Sequence, residues 1–224
     1  MVPQAPAPTV SFDELKRAAR RYGECTAFNE SLASALERIT PGTDLAAPTG
    51  GRDSLEDLID FLNTWGCRLP ARNRKHRESL KDGLRVWWQQ RPDDHLPSYD
   101  ATLVDDELDL TGIPAVFDGL VAIEVPKARG RRSLGPVAAS KTLYVLRPAV
   151  CLPWDARIAK VLGHRSRNGA DYVAYLRGAR EVVKAILDGP DAGSLLTLTE
   201  GDGPSAATLV NQFYFMEYTF SARK

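Results

Sequence analysis

Apolar side chains recur at three- and four-residue spacing along almost the whole chain, and the two-residue alternation of a half-buried strand is nearly absent. One stripe runs through Leu55, Leu58, Ile59, Leu62 and Trp65, widened by Phe61, with Glu56, Asp57 and Asp60 on or near the opposite face. Others are Leu80, Leu84, Trp87 and Trp88; Val116, Phe117, Leu120 and Val121; and Tyr172, Leu176, Ala179, Val183 and Leu187. A helix with one apolar stripe must bury it against another helix, so the expected fold is all-α, a multi-helix globular domain.

The punctuation sets the boundaries. Ser11-Phe12-Asp13-Glu14 is a capping box that opens a helix to about Tyr22. Cys25 to Ile39 reads as a second helix, ended by Thr40-Pro41-Gly42, and Asp44 to Arg52 as a loop with Pro48 and Gly50-Gly51. Further helices are expected from Asp53 or Ser54 to Gly66, from beyond Pro70 to the stop at Arg91-Pro92, and from Val116 to Glu124 before a basic turn at Lys127–Arg132. The last four run from Pro136 to about Leu146, from Asp155, from Asp171 to Leu187 and from Pro204 to about Tyr218. Asp188 to Gly203 reads as a loop with a brief extended piece at Leu195–Leu198. Residues 1–10 read as a disordered, Pro/Ala-rich leader, and 11–224 as one all-α domain, a single body or two lobes with a cleft near 130–165.

Several function classes fall away. No apolar run of about 18 residues exists to span a membrane. The three cysteines, Cys25, Cys67 and Cys151, form no CxxC pair, which points to a reducing, cytoplasmic setting. Cys151 beside a candidate site reads as a packed thiol before a reactive one. His76, His95 and His164 are scattered without ligand spacing, so no metal is expected, and no cofactor either. Gly50-Gly51 and Gly201-Asp202-Gly203 lack the features of a nucleotide-phosphate loop. The chain is expected to be a monomer.

The charge is balanced, 29 Lys and Arg against 29 Asp and Glu, but segregated. Cations gather at Arg68, Arg72, Arg74, Lys75, Arg77, Lys81 and Arg85, at Lys127, Arg129, Arg131 and Arg132, and at Arg157, Lys160, Arg165 and Arg167. Acids gather between Asp93 and Asp109. Each cluster alone is consistent with a solvated helix face, whereas convergence of three on one side would make a phosphate-tracking surface for nucleic acid.

The most informative stretch is Leu134-Gly-Pro-Val-Ala-Ala-Ser-Lys-Thr142, followed after a proline-bounded connection by Pro153-Trp154-Asp155. It resembles the core of the helix-hairpin-helix DNA glycosylase superfamily, in particular its lysine-bearing, 8-oxoguanine-glycosylase-like members. The order Gly135-Pro136 is reversed relative to that family's hairpin, and the Lys-to-Asp separation of 14 residues is shorter than usual there. The resemblance implies a helix-hairpin-helix-like element, Lys141 as catalytic nucleophile and Asp155 as catalytic aspartate. It also implies Trp154, Tyr144 and Phe213 as candidates against a flipped base, Arg129, Arg131, Arg132, Arg157 and Lys160 as DNA-backbone contacts, and DNA as partner. Trp87 and Trp88 are weaker stacking candidates that complete a core stripe, and Tyr214, Phe215 and Tyr218 share the late aromatic run with Phe213. The chemistry fits these residue types: a neutral amine can attack C1′ and form a Schiff base, and an aspartate at a helix N-cap can stabilise a cationic sugar. The alternatives are a non-catalytic helical nucleic-acid-binding module and an adaptor whose acidic 93–109 segment meets a basic protein.

Overall fold

The computed structural model describes residues 8–40, 42–46, 53–70, 73–90, 92–127, 130–201 and 203–221. The leader through residue 7, Pro41, most of the 44–52 loop, Arg72, Arg91, Arg129 and Asp202 lie outside them, and with them the expectations that fall there. The described chain is helical almost throughout: α1 (Phe12–Cys25), α2 (Phe28–Leu36), α3 (Ser54–Thr64), α4 (Arg74–Gln89), α5 (Ile113–Ala122), α6 (Pro136–Leu146), α7 (Ala156–Val161), α8 (Gly169–Leu187), α9 (Ala192–Thr199) and α10 (Ala206–Tyr214). A π-helix, Phe215–Phe220, continues α10, and between α5 and α6 two short strands, β1 (Glu124–Pro126) and β2 (Arg131–Ser133), pair antiparallel.

The starts follow from local chemistry. Glu14 N–H donates to Ser11 Oγ at 3.3 Å while Ser11 N–H donates to the Glu14 carboxylate at 2.8 Å, the capping box read from the sequence. Asp53, Asn73, Asp155, Asn168 and Ser205 likewise accept backbone N–H groups that the first turns of α3, α4, α7, α8 and α10 cannot satisfy internally. α5 and α6 instead carry proline in the first turn, where a missing N–H costs nothing.

Three expectations are corrected. Leu195–Leu198 is not extended but lies inside α9, where Leu195 is buried as the helix packs on α8. The basic turn is a β-hairpin: α5 stops at Ala122, Leu134 N–H donates to Ile123 O at 2.7 Å, and Val125 sits opposite Arg132, so the helix-hairpin-helix-like element is built as helix, β-hairpin, helix. The first two helices divide at Thr26, whose hydroxyl donates to Tyr22 O at 3.0 Å and accepts from Phe28 N–H at 3.4 Å.

The buried apolar side chains form one cluster reaching from Val10 to Met216. α5 packs against both α6 and α8, α1 against α10, and α3 against α2, α4 and α6. Among the described residues no helix is long and apolar enough to cross a membrane.

Much of the segregated charge is internal glue. Arg77 pairs with Glu56 and with Asp60 (2.7 Å), and Lys81, nearly buried, reaches Asp53 (3.1 Å), Glu56 (2.8 Å) and Glu78 (2.9 Å), tying α4 to α3. Arg147 is buried against the acidic segment, bonded to Asp93 at 2.7 Å with its guanidinium 3.6 Å from the Tyr99 ring centre. Arg180 donates to Asp105 O and Lys184 pairs with Asp106 at 3.0 Å, so α8 anchors the same segment.

Burial alone would raise the Asp53 and Glu56 carboxyls, but hydrogen bonds from Lys81 and Arg77 outweigh it and hold both below the ordinary range. A carboxyl lowered in the folded state contributes stability above its unfolded value, about 4, and loses it as the pH falls through the folded value. Lys81→Met therefore destabilises the fold at pH 7, and its gap from the parent narrows as the pH drops below about 4. Urea unfolding midpoints of the two chains across pH 3–7 measure this.

Candidate active site

α6 is apolar on nearly every side: Ala138, Ala139, Ser140, Thr142, Leu143, Tyr144, Val145 and Leu146 are all buried. Lys141 is the one charged residue in it. The chain then turns back through Arg147–Trp154, and this connection is pinned from two directions. Trp154 N–H donates to Ser140 Oγ at 3.1 Å, joining the residue before Lys141 to the residue before Asp155. From α8, the Tyr172 hydroxyl donates to Leu152 O at 3.0 Å and the Tyr175 hydroxyl to Pro153 O at 3.1 Å. Asp155 follows as the cap of α7, its Oδ1 accepting Arg157 and Ile158 N–H, both at 2.8 Å, and its Oδ2 accepting the Thr219 hydroxyl at 2.6 Å.

Lys141 and Asp155 line one cavity of about 520 Å³. Its walls come from α1 (Tyr22, Cys25), the start of α2 (Phe28), the end of α3 (Trp65), α10 (Asn211) and the π-helix (Phe215, Phe220), and Arg68 stands exposed at its edge. Phe28 lies 4.9 Å from Trp65 and 5.9 Å from Phe215, centre to centre, so one wall is a continuous aromatic surface. Asn211 is only 4% exposed, and its side-chain amide, at the cavity, makes no hydrogen bond among the described residues. It offers donors and an acceptor to whatever enters.

The Lys141 amine is largely covered. It donates to Trp65 O, a carbonyl freed by the end of α3, and lies 5.8 Å from the Trp65 ring centre. Burial pushes its pKa below the ordinary lysine value, opposed by Cys67 and Asp155 nearby. Cys151, by contrast, is packed away, its thiol pushed up to about 12 by burial.

The sequence-selected residues divide. Lys141, Asp155 and Trp154 meet at the cavity, but the Trp154 indole is almost wholly core, 5.3 Å from Tyr172 and 5.5 Å from Tyr175, with Nε1 donating to Pro136 O at 3.1 Å. Tyr144 stands behind Trp65, its hydroxyl bonded to Thr208 at 3.1 Å, and Phe213 packs on Tyr214 and Tyr218; neither lines the cavity. The late aromatics that reach it are Phe215 and Phe220. Trp87 is buried and Trp88 packs beside it. Arg131 pairs with Glu124 and the Arg132 guanidinium is turned inward onto Cys67 O and Arg68 O, whereas Arg157 and Lys160 are exposed. Arg157, Lys160, Arg165 and Arg167 make no ion pair among the described residues. No local signal marks Trp65, Phe28, Tyr22 or Asn211 for the site; only the long-range closure of α1, α3 and α10 over α6 brings them there. Among the described residues no group of three His, Cys, Asp or Glu side chains could hold a metal ion.

No protein-family model matches this chain, and neither a curated protein nor a solved structure matches it.

Ser140→Ala leaves the buried Trp154 N–H without an acceptor and is expected to cost about 1–3 kcal/mol of stability, read as a lowered urea midpoint.

Proposed function

We propose that this chain is a DNA-glycosylase-like enzyme that excises a modified base, with Lys141 as nucleophile and Asp155 as its electrostatic partner. The observation that carries the reading is the convergence of both side chains on one cavity, with the lysine amine largely buried. The volume falls in the range of small-molecule sites, roughly 300–1,000 Å³, and an aromatic wall with one free amide suits a flat heterocycle turned out of its duplex.

The residues divide the chemistry. The Nζ lone pair of the neutral amine forms a bond to C1′ as the C1′–N bond to the base breaks, and the base leaves with that electron pair and takes up a proton. Loss of a proton from Nζ and opening of the sugar ring give an imine, from which β-elimination can cut the strand. A lowered lysine pKa enlarges the neutral fraction near pH 7. Asp155 is held by two backbone N–H groups and Thr219, and in this reading its carboxylate offsets the positive charge that develops on the sugar. The exposed, unpaired cations Arg157, Lys160, Arg165 and Arg167 follow directly on Asp155 along α7 and the next turn, and these take the phosphates.

Borohydride added during incubation with lesion-bearing duplexes reduces the imine to a stable amine and so traps protein on DNA. An adduct is expected with the parent chain and none with Lys141→Gln; absence of an adduct on every lesion, or its persistence in that variant, overturns the reading. DNA binding without base release would instead favour the non-catalytic module. In the same duplexes, Arg157→Gln with Lys160→Gln should flatten the plot of log affinity against log salt by about 0.9 for each phosphate that is no longer neutralised.

A further inference from the structure

The turn that follows α3 is held in an unfavourable shape. Gly66 has φ +80° and Arg68, which has a side chain to accommodate, φ +53°. A non-glycine residue in the left-handed region costs on the order of 1 kcal/mol and persists only where its surroundings enforce it. Part of the enforcement is local: Gly66 N–H donates to Asn63 O and Cys67 N–H to Leu62 O, both at 2.9 Å, and Leu69 N–H to Asn63 Oδ1 at 2.7 Å. The rest comes from far along the chain. Arg132, on the β-hairpin, donates one guanidinium nitrogen to Arg68 O at 2.8 Å and to Cys67 O at 3.3 Å. The residue that enters this turn is Trp65, whose carbonyl accepts from Lys141 and whose ring covers it.

We propose that Arg132 is a positioning residue for Lys141: it clamps the Gly66–Arg68 turn from the hairpin, and so keeps the Trp65 carbonyl and indole against the lysine amine. This rests on the reading of Lys141 as the reactive amine. It gives Arg132 a role other than phosphate contact, and it links a surface hairpin to the protonation of the buried site. Releasing the clamp lets water reach the amine. The Trp65 carbonyl and ring favour the ammonium form, but burial outweighs them and holds the pKa low, so exchanging these surroundings for water moves it upward. The other groups presented to Lys141 are Cys67 and Arg68 from the turn, Asp155 ahead of α7, and Tyr22 and Cys25 from α1; Asn211, Phe215 and Phe220 from the last helices do not titrate.

The test is a pH titration of lysine side-chain NMR signals in the full chain, with Lys141 identified by its loss in Lys141→Gln. Two variants loosen the same turn by different routes. Arg132→Met removes the clamp and one positive charge. Gly66→Ala leaves the charge alone but strains the turn, since a Cβ there meets open space and the only penalty is the positive φ. Both are expected to move the Lys141 midpoint upward toward the exposed lysines, with a severalfold smaller neutral fraction at pH 8. Should Arg132→Met fail to fold, Arg132→Lys, which keeps one donor group, is expected to move it the same way by less. An unchanged or lowered midpoint in any folded variant overturns the clamp, and a rise with loss of Arg132 alone does the same, because it would report only the missing charge. No DNA is involved, so a chain that yields no trapped adduct yet shows the shift loses the glycosylase reading and keeps the clamp. An adduct without the shift does the reverse.

Discussion

The hydrogen bond from Trp154 N–H to Ser140 Oγ ties together the two segments that bring Lys141 and Asp155 to the cavity. Ser140 is buried, its hydroxyl donates to Val137 O at 3.0 Å, and its oxygen satisfies a backbone donor that water cannot reach. Tyr172 and Tyr175 account for the carbonyls of Leu152 and Pro153, while Val150 and Cys151 N–H close on Arg147 O, so the connection between α6 and α7 is held by side chains at one end and by its own backbone at the other. The placement of Lys141 and Asp155 is therefore a property of the core, not of a surface loop. Disturbing any of these three hydroxyls shifts the site before it touches either functional group.

Charge segregation along the sequence does not translate into three equivalent surfaces. Within the largest basic cluster, Arg77 and Lys81 are spent on α3, facing Asp53, Glu56 and Asp60, and Arg85 pairs with Asp82 of its own helix at 2.7 Å. The acidic run is stitched down by Arg147, Arg180 and Lys184. What is left unpaired among the described residues includes the short tract after Asp155. A balanced net charge thus hides a division between cations that close the fold and cations that remain available to a polyanion.

How much of this is legible in the order of residues varies with the range of the interaction. Helix starts are readable because the caps are local: Ser11 with Glu14, Asp53 and Asp155 act within one turn of themselves. The meeting of Lys141 and Asp155 at one cavity is legible only in part, since a short helix and a tight return bring them near in the chain while the Ser140–Trp154 bond sets the closure. The hairpin at 124–133 reads as a basic turn because its strands are three residues each, too short for alternation to show. α9 reads as loop because Gly, Asp and Ser around it imitate a turn while tertiary burial of Leu195 favours a helix. Trp65, Phe28 and Asn211 carry no local mark of a site, because their roles arise from carbonyl direction and closure across more than a hundred residues.

The widened turn at Phe215–Phe220 acts as a frame shift in the last helix. Through Tyr214 the helix faces its side chains into the core in α register; the π-helix then takes one extra residue per turn and resets the face. After that reset Phe215 and Phe220, five apart, both border the cavity, and Thr219 comes to Asp155. In an uninterrupted α-helix each residue advances about 100°, so a chain shorter by one residue here would keep its core contacts upstream and swing Thr219 off the carboxylate. The end of the fold thus functions as a vernier: its composition sets packing, while its residue count sets the aim of the site.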